Sequence, residues 1–164
     1  MDFAEKSVLV TGASRGIGAA IAQAFATEGA AVTVNYLSNA DSAASSVAAC
    51  EAAGGDAIAV QADVTEREQA FSLVEQAVDA FGKVDVLVNN AFRPYRFDPE
   101  QRKLHWELDW AAYQAQFEGA VKSAHGLAQA VLPSMLARAE GSIVNIATDL
   151  VARPIVPYHD YTTA

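Results

Sequence analysis

The residues with the plainest chemical reading lie near the N-terminus, in Thr11-Gly12-Ala13-Ser14-Arg15-Gly16-Ile17-Gly18. The pattern is T-G-x-x-x-G-x-G. Glycine permits a tight turn and lets a ligand approach the backbone closely. A helix opening directly after such a turn offers free N–H groups and a partial positive charge, which suit a phosphate or pyrophosphate. A plain strand-to-helix turn is the alternative, and three glycines at this spacing speak against it. The spacing also differs from the general G-x-G-x-x-G fingerprint. Arg15 either adds a charge-assisted contact to a phosphate or is a solvated surface charge. His105, His125 and His159 are scattered without metal-ligand spacing, so no metal is expected and they read as ordinary histidines. His159 alone, close to Tyr161, is a candidate for a substrate entrance.

A phosphate-binding turn needs a frame that presents it at the end of a strand. Residues 7–11 read as a buried strand, and 16–28 as a helix with Ile17, Ile21, Ala24 and Phe25 on one face, ended by Gly29. Strand 31–36, helix 41–53 and strand 57–61 follow. Thr65 with Glu68 three residues on suits a capping box for a helix running to Phe81, closed by Gly82. Strand 84–89 comes next, then an irregular segment, 93–104, broken by Pro94 and Pro99. A long helix over 109–138, kinked near Pro133, and a strand over 142–147 complete the pattern. Trp106 and Trp110, four apart, are expected to share a helix face in the core or at a subunit interface. Alternating helices and continuously apolar strands predict an α/β fold, a doubly wound parallel sheet covered on both faces. Ligands of such sheets bind beyond the carboxyl ends of the strands.

Composition narrows the partners. Hydrophobic residues make up 52% and charged residues 19% of the 164, enough for one domain with a sizeable core. The net charge of −9 argues against nucleic acid or an anionic membrane. No apolar run approaches the ~18 residues that span a bilayer, and residues 1–6 have no signal-peptide pattern, so a cytoplasmic location is expected. The single cysteine, Cys50, reads as a small semi-buried side chain.

The glycine turn resembles the cofactor turn of the short-chain dehydrogenase/reductase family, whose fold is the Rossmann fold. Asn89-Asn90-Ala91 resembles the family's N-N-A-G motif, in which the Asn stabilises the central sheet. Asp63-Val64 resembles its adenine-contacting pair, residues 142–146 the strand before its catalytic serine, and Tyr161-Thr162-Thr163-Ala164 the start of its Y-x-x-x-K. The resemblance covers essentially the whole chain. It implies a nicotinamide dinucleotide held by Gly12, Ser14, Arg15, Gly16, Ile17, Gly18, Asp63, Val64, Asn89, Asn90 and Ala91. Members specific for NAD place an acidic residue after the second strand, about 20 residues past the turn. Tyr36 stands there, so nothing repels a 2′-phosphate. Arg15 is placed as in NADP-preferring members, and Ser38 adds a hydroxyl donor. The expected cofactor is NADP(H).

In the family a Tyr protonates the substrate carbonyl as hydride arrives, a Ser hydroxyl orients the carbonyl, and a Lys lowers the Tyr pKa from its free value near 10. Tyr161 matches the Tyr. Tyr158 is the competitor, but Thr162 stands where its Lys would be. Thr148, 13 positions before Tyr161, takes the Ser place, or else merely caps the strand end. The Lys falls at 165, one past Ala164. Ala120 stands where the family has a relay Asn, and Phe92 where it has Gly. Arg93, Arg96, Arg102 and Lys103, with Tyr95 and Phe97, form a locally basic segment suited to an acidic or phosphopantetheine-linked substrate, or a solvated loop.

The resemblance implies an oxidoreductase moving hydride between NADP(H) and a carbonyl/alcohol substrate, similar to 3-oxoacyl-[acyl-carrier-protein] reductases and acting on a small molecule such as an acyl-thioester. Residues 1–164 are expected to be a single NADP-binding domain, the N-terminal two-thirds of a longer one with its C-terminal part missing, forming a homo-oligomer (dimer or tetramer) when full length. Ala120, Phe92 and Thr148 support the alternative, a catalytically impaired NADP(H)-binding protein of the same fold. A purely structural module is the third reading, disfavoured by the intact turn.

Overall fold

A computed structural model describes residues 3–95, 98–100, 103–151 and 158–163. Five strands, β1 (Ser7–Val10), β2 (Ala31–Tyr36), β3 (Ala57–Gln61), β4 (Val86–Asn89) and β5 (Ser142–Asn145), form one parallel sheet in the order β3-β2-β1-β4-β5. The chain winds outward from β1 to β3, then returns to lay β4 on the other side of β1, with Val8 opposite Val86 and Val10 opposite Val88. The reversal of direction falls between β1 and β4, where doubly wound sheets open a crevice.

Side chains alternate across the sheet. Val8 and Val10 face a core made with Ala22 and Ala26 of α1 (Gly16–Thr27) and with Ala43 and Cys50 of α2 (Ala40–Ala52). Leu9 and Leu87 face the other core, made with Leu73 and Ala77 of α3 (Arg67–Phe81) and with Leu127 and Val131 of α5 (Ser123–Arg138). Both layers are apolar, which is why the strands read as continuous hydrophobic runs.

The elements match the expected order, with five differences. Gly18, Ala22 and Ala26 bury the inner face of α1, while Ile17 is 66% exposed and Ile21 and Phe25 pack at the core margin. Small residues bring that helix close to the sheet. The capping box at Thr65 does not form: Thr65 donates its hydroxyl to Asp63 Oδ1 at 2.7 Å, and Glu66 becomes the N-cap without a side-chain bond. Asn39 caps α2 instead of leaving it to start at Asp41, accepting from Ser42 N at 2.9 Å.

The long helix is interrupted at a π turn, Glu118–Lys122, between α4 (Trp110–Phe117) and α5, whereas α5 runs through Pro133. The buried Ser123 hydroxyl donates to Gly119 O (2.7 Å) and Ala120 O (3.1 Å), which satisfies carbonyls that the widened turn releases. Trp106 lies in a 3-10 turn, His105–Glu107, and Trp110 starts α4; both are more than three-quarters exposed, so neither is a core residue.

At the amino end of the sheet the buried Asp85 accepts from Ser7 N at 3.0 Å and faces Lys83 (3.1 Å) and Arg138 (3.5 Å). Arg138 also donates to Val84 O at 2.9 Å. This cluster closes the end of the domain opposite the carboxyl ends of the strands.

Candidate active site

The glycine turn sits at the carboxyl end of β1, and two asparagines hold it. Asn35, buried near the end of β2, accepts from Gly12 N (3.2 Å) and donates to Ala62 O (3.1 Å), while its own carbonyl accepts from Ala13 N (2.8 Å). On the other side Asn90 donates to Thr11 O at 2.8 Å and to Gly12 O at 3.3 Å. The buried Thr11 hydroxyl accepts from Asn90 N (3.0 Å) and Ala91 N (2.9 Å) and donates to Val88 O (3.3 Å). The turn is thus fastened to three strands.

Glycine is required here for two different reasons. A Cβ on Gly18 would lie 2.5 Å from both Asn90 Nδ2 and Gly12 O, so the turn closes on itself at that point. A Cβ on Gly16 would meet nothing within 4 Å, but its φ is +59°. The space before Gly16 is open. No side chain caps α1, so the first N–H groups of the helix have no intrahelical partner. An open space facing uncapped N–H groups fits a pyrophosphate. Arg15 is the N-cap, exposed and extended (φ −163°, ψ 172°), and makes no ion pair among the described residues. Ser14 is half-buried at one end of a groove between α1 and α2, of about 360 Å³, shared with Gln23, Ser42, Ser45 and Ser46.

Tyr36 closes β2, half-buried, with exposed Ser38 two residues beyond. The Asp63 carboxylate accepts from Thr65 N (2.9 Å) as well as from the Thr65 hydroxyl, which fixes its orientation after β3. Val64 is buried in the core, so any contact to a ligand comes from its backbone. Asn89 is buried and donates to Asn145 Oδ1 at 2.9 Å, joining β4 to β5 rather than facing a ligand. Ala91 lies against the turn, 3.1 Å from the Cβ position of Gly12.

Tyr161 lies half-buried on α6 (His159–Thr163), its ring 5.1 Å from that of Tyr95. Tyr158 is buried, its ring edge-on to Tyr95 at 5.8 Å, which suits it less than Tyr161 to meet a substrate. Thr148 follows β5 and accepts from Leu150 N at 3.3 Å, capping the short 3-10 turn Asp149–Val151; its hydroxyl hydrogen is left to donate. Ala120 lies in the π turn. The neighbouring Gly119 packs so closely that a Cβ there would lie 2.6 Å from Arg93 Cβ. Phe92 is 60% exposed. His159 stacks edge-on with His105 (5.4 Å), which bonds Tyr113 through Nδ1 (2.9 Å); His125 is exposed. Of the basic segment, Arg96, Phe97 and Arg102 lie outside the described residues, and Arg93 and Lys103 are exposed. Two residues that hold the site, Asn35 and Asp160, escaped the sequence reading, in which Tyr95 is only part of the basic segment. A buried Asn at the end of an apolar strand was the available signal for the first.

A sequence model of the short chain dehydrogenase family matches residues 6–164. The chain belongs to that family. Short-chain dehydrogenases use nicotinamide cofactors, and the braced turn described above is where this chain would hold one. Among curated relatives, the ketoacyl reductase HetN of a Nostoc species is 42% identical over 144 residues, 87% of this chain and 47% of that protein. The 3-oxoacyl-[acyl-carrier-protein] reductase FabG of Staphylococcus epidermidis is 36% identical over 143 residues, 87% of this chain and 56% of that one. The chain therefore spans about half the length of the curated relatives it matches. A solved 7α-hydroxysteroid dehydrogenase, complexed with NADH and 7-oxo glycochenodeoxycholic acid, superposes with a TM-score of 0.86 at 33% identity, over 99% of this chain and 60% of that one. No helix among the described residues is long and apolar enough to cross a membrane.

Proposed function

We propose that the full-length protein is an NADP(H)-dependent reductase of carbonyl substrates, of the 3-oxoacyl reductase kind, able to run in reverse on the matching alcohol. The observation that carries the cofactor preference is the pairing of Arg15, exposed at the mouth of α1 and making no ion pair among the described residues, with Tyr36, not a carboxylate, at the end of β2. A guanidinium there attracts a 2′-phosphate, and no acidic side chain at that position repels it. Ser38, exposed two residues beyond Tyr36, adds a hydroxyl donor.

When bound, the nicotinamide supplies hydride to the carbonyl carbon. The chain's own groups do the rest. The Tyr161 hydroxyl gives its proton to the carbonyl oxygen, and the Thr148 hydroxyl donates a hydrogen bond that orients it. The extra methyl of threonine narrows the substrate space relative to serine. The family's lysine falls at position 165, so the assay belongs on the full-length protein. The likeness to HetN and FabG supports a thioester-linked 3-oxoacyl substrate. The exposed Phe117 and Val121 on the long helix support a subunit contact there.

The alternative is a binding protein impaired in chemistry, favoured by Ala120 and by the engagement of Thr148 in a local cap. Titration with NADPH and with NADH, followed by NADPH oxidation with a 3-oxoacyl thioester, separates them. Tight NADPH binding with turnover supports the reductase, and tight binding without turnover supports the alternative. Preference for NADH would overturn the cofactor assignment.

A further inference from the structure

Tyr95 lies five residues past Asn90, on the segment that leaves β4. Its hydroxyl donates to Asp160 Oδ1 at 2.8 Å. Its ring touches Tyr158 edge-on (5.8 Å) and Tyr161 at a tilt (5.1 Å). Asp160 is 8% exposed, a nearly buried carboxylate next in sequence to Tyr161. One side chain therefore meets three of the first four residues of the segment 158–161. The segment that carries Tyr95 is itself fixed at two points, by Asn90 on the glycine turn and by Gly119, whose backbone leaves no room for a Cβ beside Arg93.

We infer that Tyr95 and Asp160 are positioning residues that dock the helix bearing Tyr161 onto the cofactor side of the site, so that the phenol of Tyr161 is held in register with the bound cofactor. The inference rests on the proposed role of Tyr161. The Tyr95–Asp160 bond is a charge-assisted one in a largely desolvated place, strong and directional. Burial, together with that carboxylate, pushes the Tyr95 phenol well above its ordinary value, as a phenol donating to a nearby anion requires. The misplacement of a reacting group by a fraction of its contact distance is enough to slow chemistry without weakening binding.

The test uses the full-length protein with NADPH and acetoacetyl-CoA as the probe substrate. Tyr95→Phe keeps the ring and removes the bond, and Asp160→Ala removes the acceptor. Each is expected to lower kcat on the order of tenfold or more while the NADPH dissociation constant stays within about twofold. The double variant is expected to be no slower than the worse single one, because both remove one interaction. Asp160→Asn keeps an acceptor and is expected to retain most of kcat. Unchanged kcat in both single variants, or fully multiplicative losses in the double, would overturn the inference.

Absorbance titration of the phenols gives a readout independent of turnover. Tyr95→Phe should remove a phenol that resists ionisation while the fold persists, and Asp160→Asn should bring that phenol down toward the ordinary range. A titration unaffected by Asp160→Asn overturns the contact itself. A wild type that reduces no carbonyl, with the titration as expected, overturns the proposed function and the kinetic part of the inference but leaves the docking contact standing.

Discussion

Asn35 and Gly12 are joined by a single hydrogen bond across 23 residues of sequence, with Gly12 N donating to Asn35 Oδ1 at 3.2 Å. The same amide donates to Ala62 O at 3.1 Å, so the end of β3 and the glycine turn share one side chain. Asn35→Ala orphans donor and acceptor together. A loss of about 1–3 kcal/mol in stability is expected, with NADPH binding weakened about tenfold or more as the turn loosens. Asn35→Asp should be no better, since its second oxygen would face the carbonyls of Val60 and Ala62. Denaturant melts and cofactor titration check both.

Gly16 and Gly18 should respond differently to alanine. Gly16→Ala meets open space, so its cost is the left-handed backbone alone, about 1–2 kcal/mol, and its methyl enters the space facing the helix N-terminus. A folded protein with poor NADPH binding is expected. Gly18→Ala collides with Asn90 and with the Gly12 carbonyl, so the melting temperature should fall further and binding should vanish with it. Equal melting temperatures for the two would contradict this division.

Arg15→Ala tests the cofactor assignment directly. NADPH affinity should drop about tenfold to a hundredfold, the weight of a charge-assisted phosphate contact, while NADH affinity barely changes. The NADPH effect should shrink as salt rises, because Arg15 is exposed. Tyr36→Asp should push the preference further toward NADH.

Asp85→Ala is expected to cost about 2–4 kcal/mol, because it strands Ser7 N–H and two cations at the amino end of the sheet. Lys6→Ala, which breaks only the exposed pair with Glu140, should stay within about 0.5 kcal/mol. Urea melts of the two variants compare a buried ion cluster with a surface pair.

Burial pushes the Cys50 thiol up, so its ionisation opposes the fold. Its folded value lies above the unfolded one. The stability it permits is whole below the ordinary thiol range near 8.5 and declines as pH rises beyond it, with Tyr95 adding to the decline above about 10. Stability should therefore fall from pH 8 to 11, and Cys50 should resist alkylation until the protein unfolds. Fast labelling of the native protein would show that the helix α2 face opens.

Much of this architecture is legible in the sequence because each layer is uniformly apolar. Residues 57–61 and the glycine turn occupy their expected places, and the strand ends locate the site. Features that depend on contacts between distant residues are less legible. The apolar Ile17 suggested a buried face, yet close approach of α1 to the sheet admits only Gly18, Ala22 and Ala26 there. Thr65 had the sequence of a cap, but Asp63 two residues before it competes for its hydroxyl. Pro133 suggested a kink, whereas the helix widens at Glu118–Lys122, where Gly119 meets Arg93. Tyr95 looked like part of a basic loop until its partner Asp160, 65 residues away, gave it a role.

The brace between Thr11 and Asn90 spans 79 residues. A chain made from its N-terminus completes the glycine turn long before the asparagine that holds it has been synthesised. Until β4 emerges and pairs with β1, the turn has only Asn35 on one side, and its bond to Gly12. Such a distant closure is slow, since a long loop must be shut before its contacts repay the entropy. Nucleotide capture is thus expected to wait, after the turn itself has been made, until the fourth strand has taken its place beside the first.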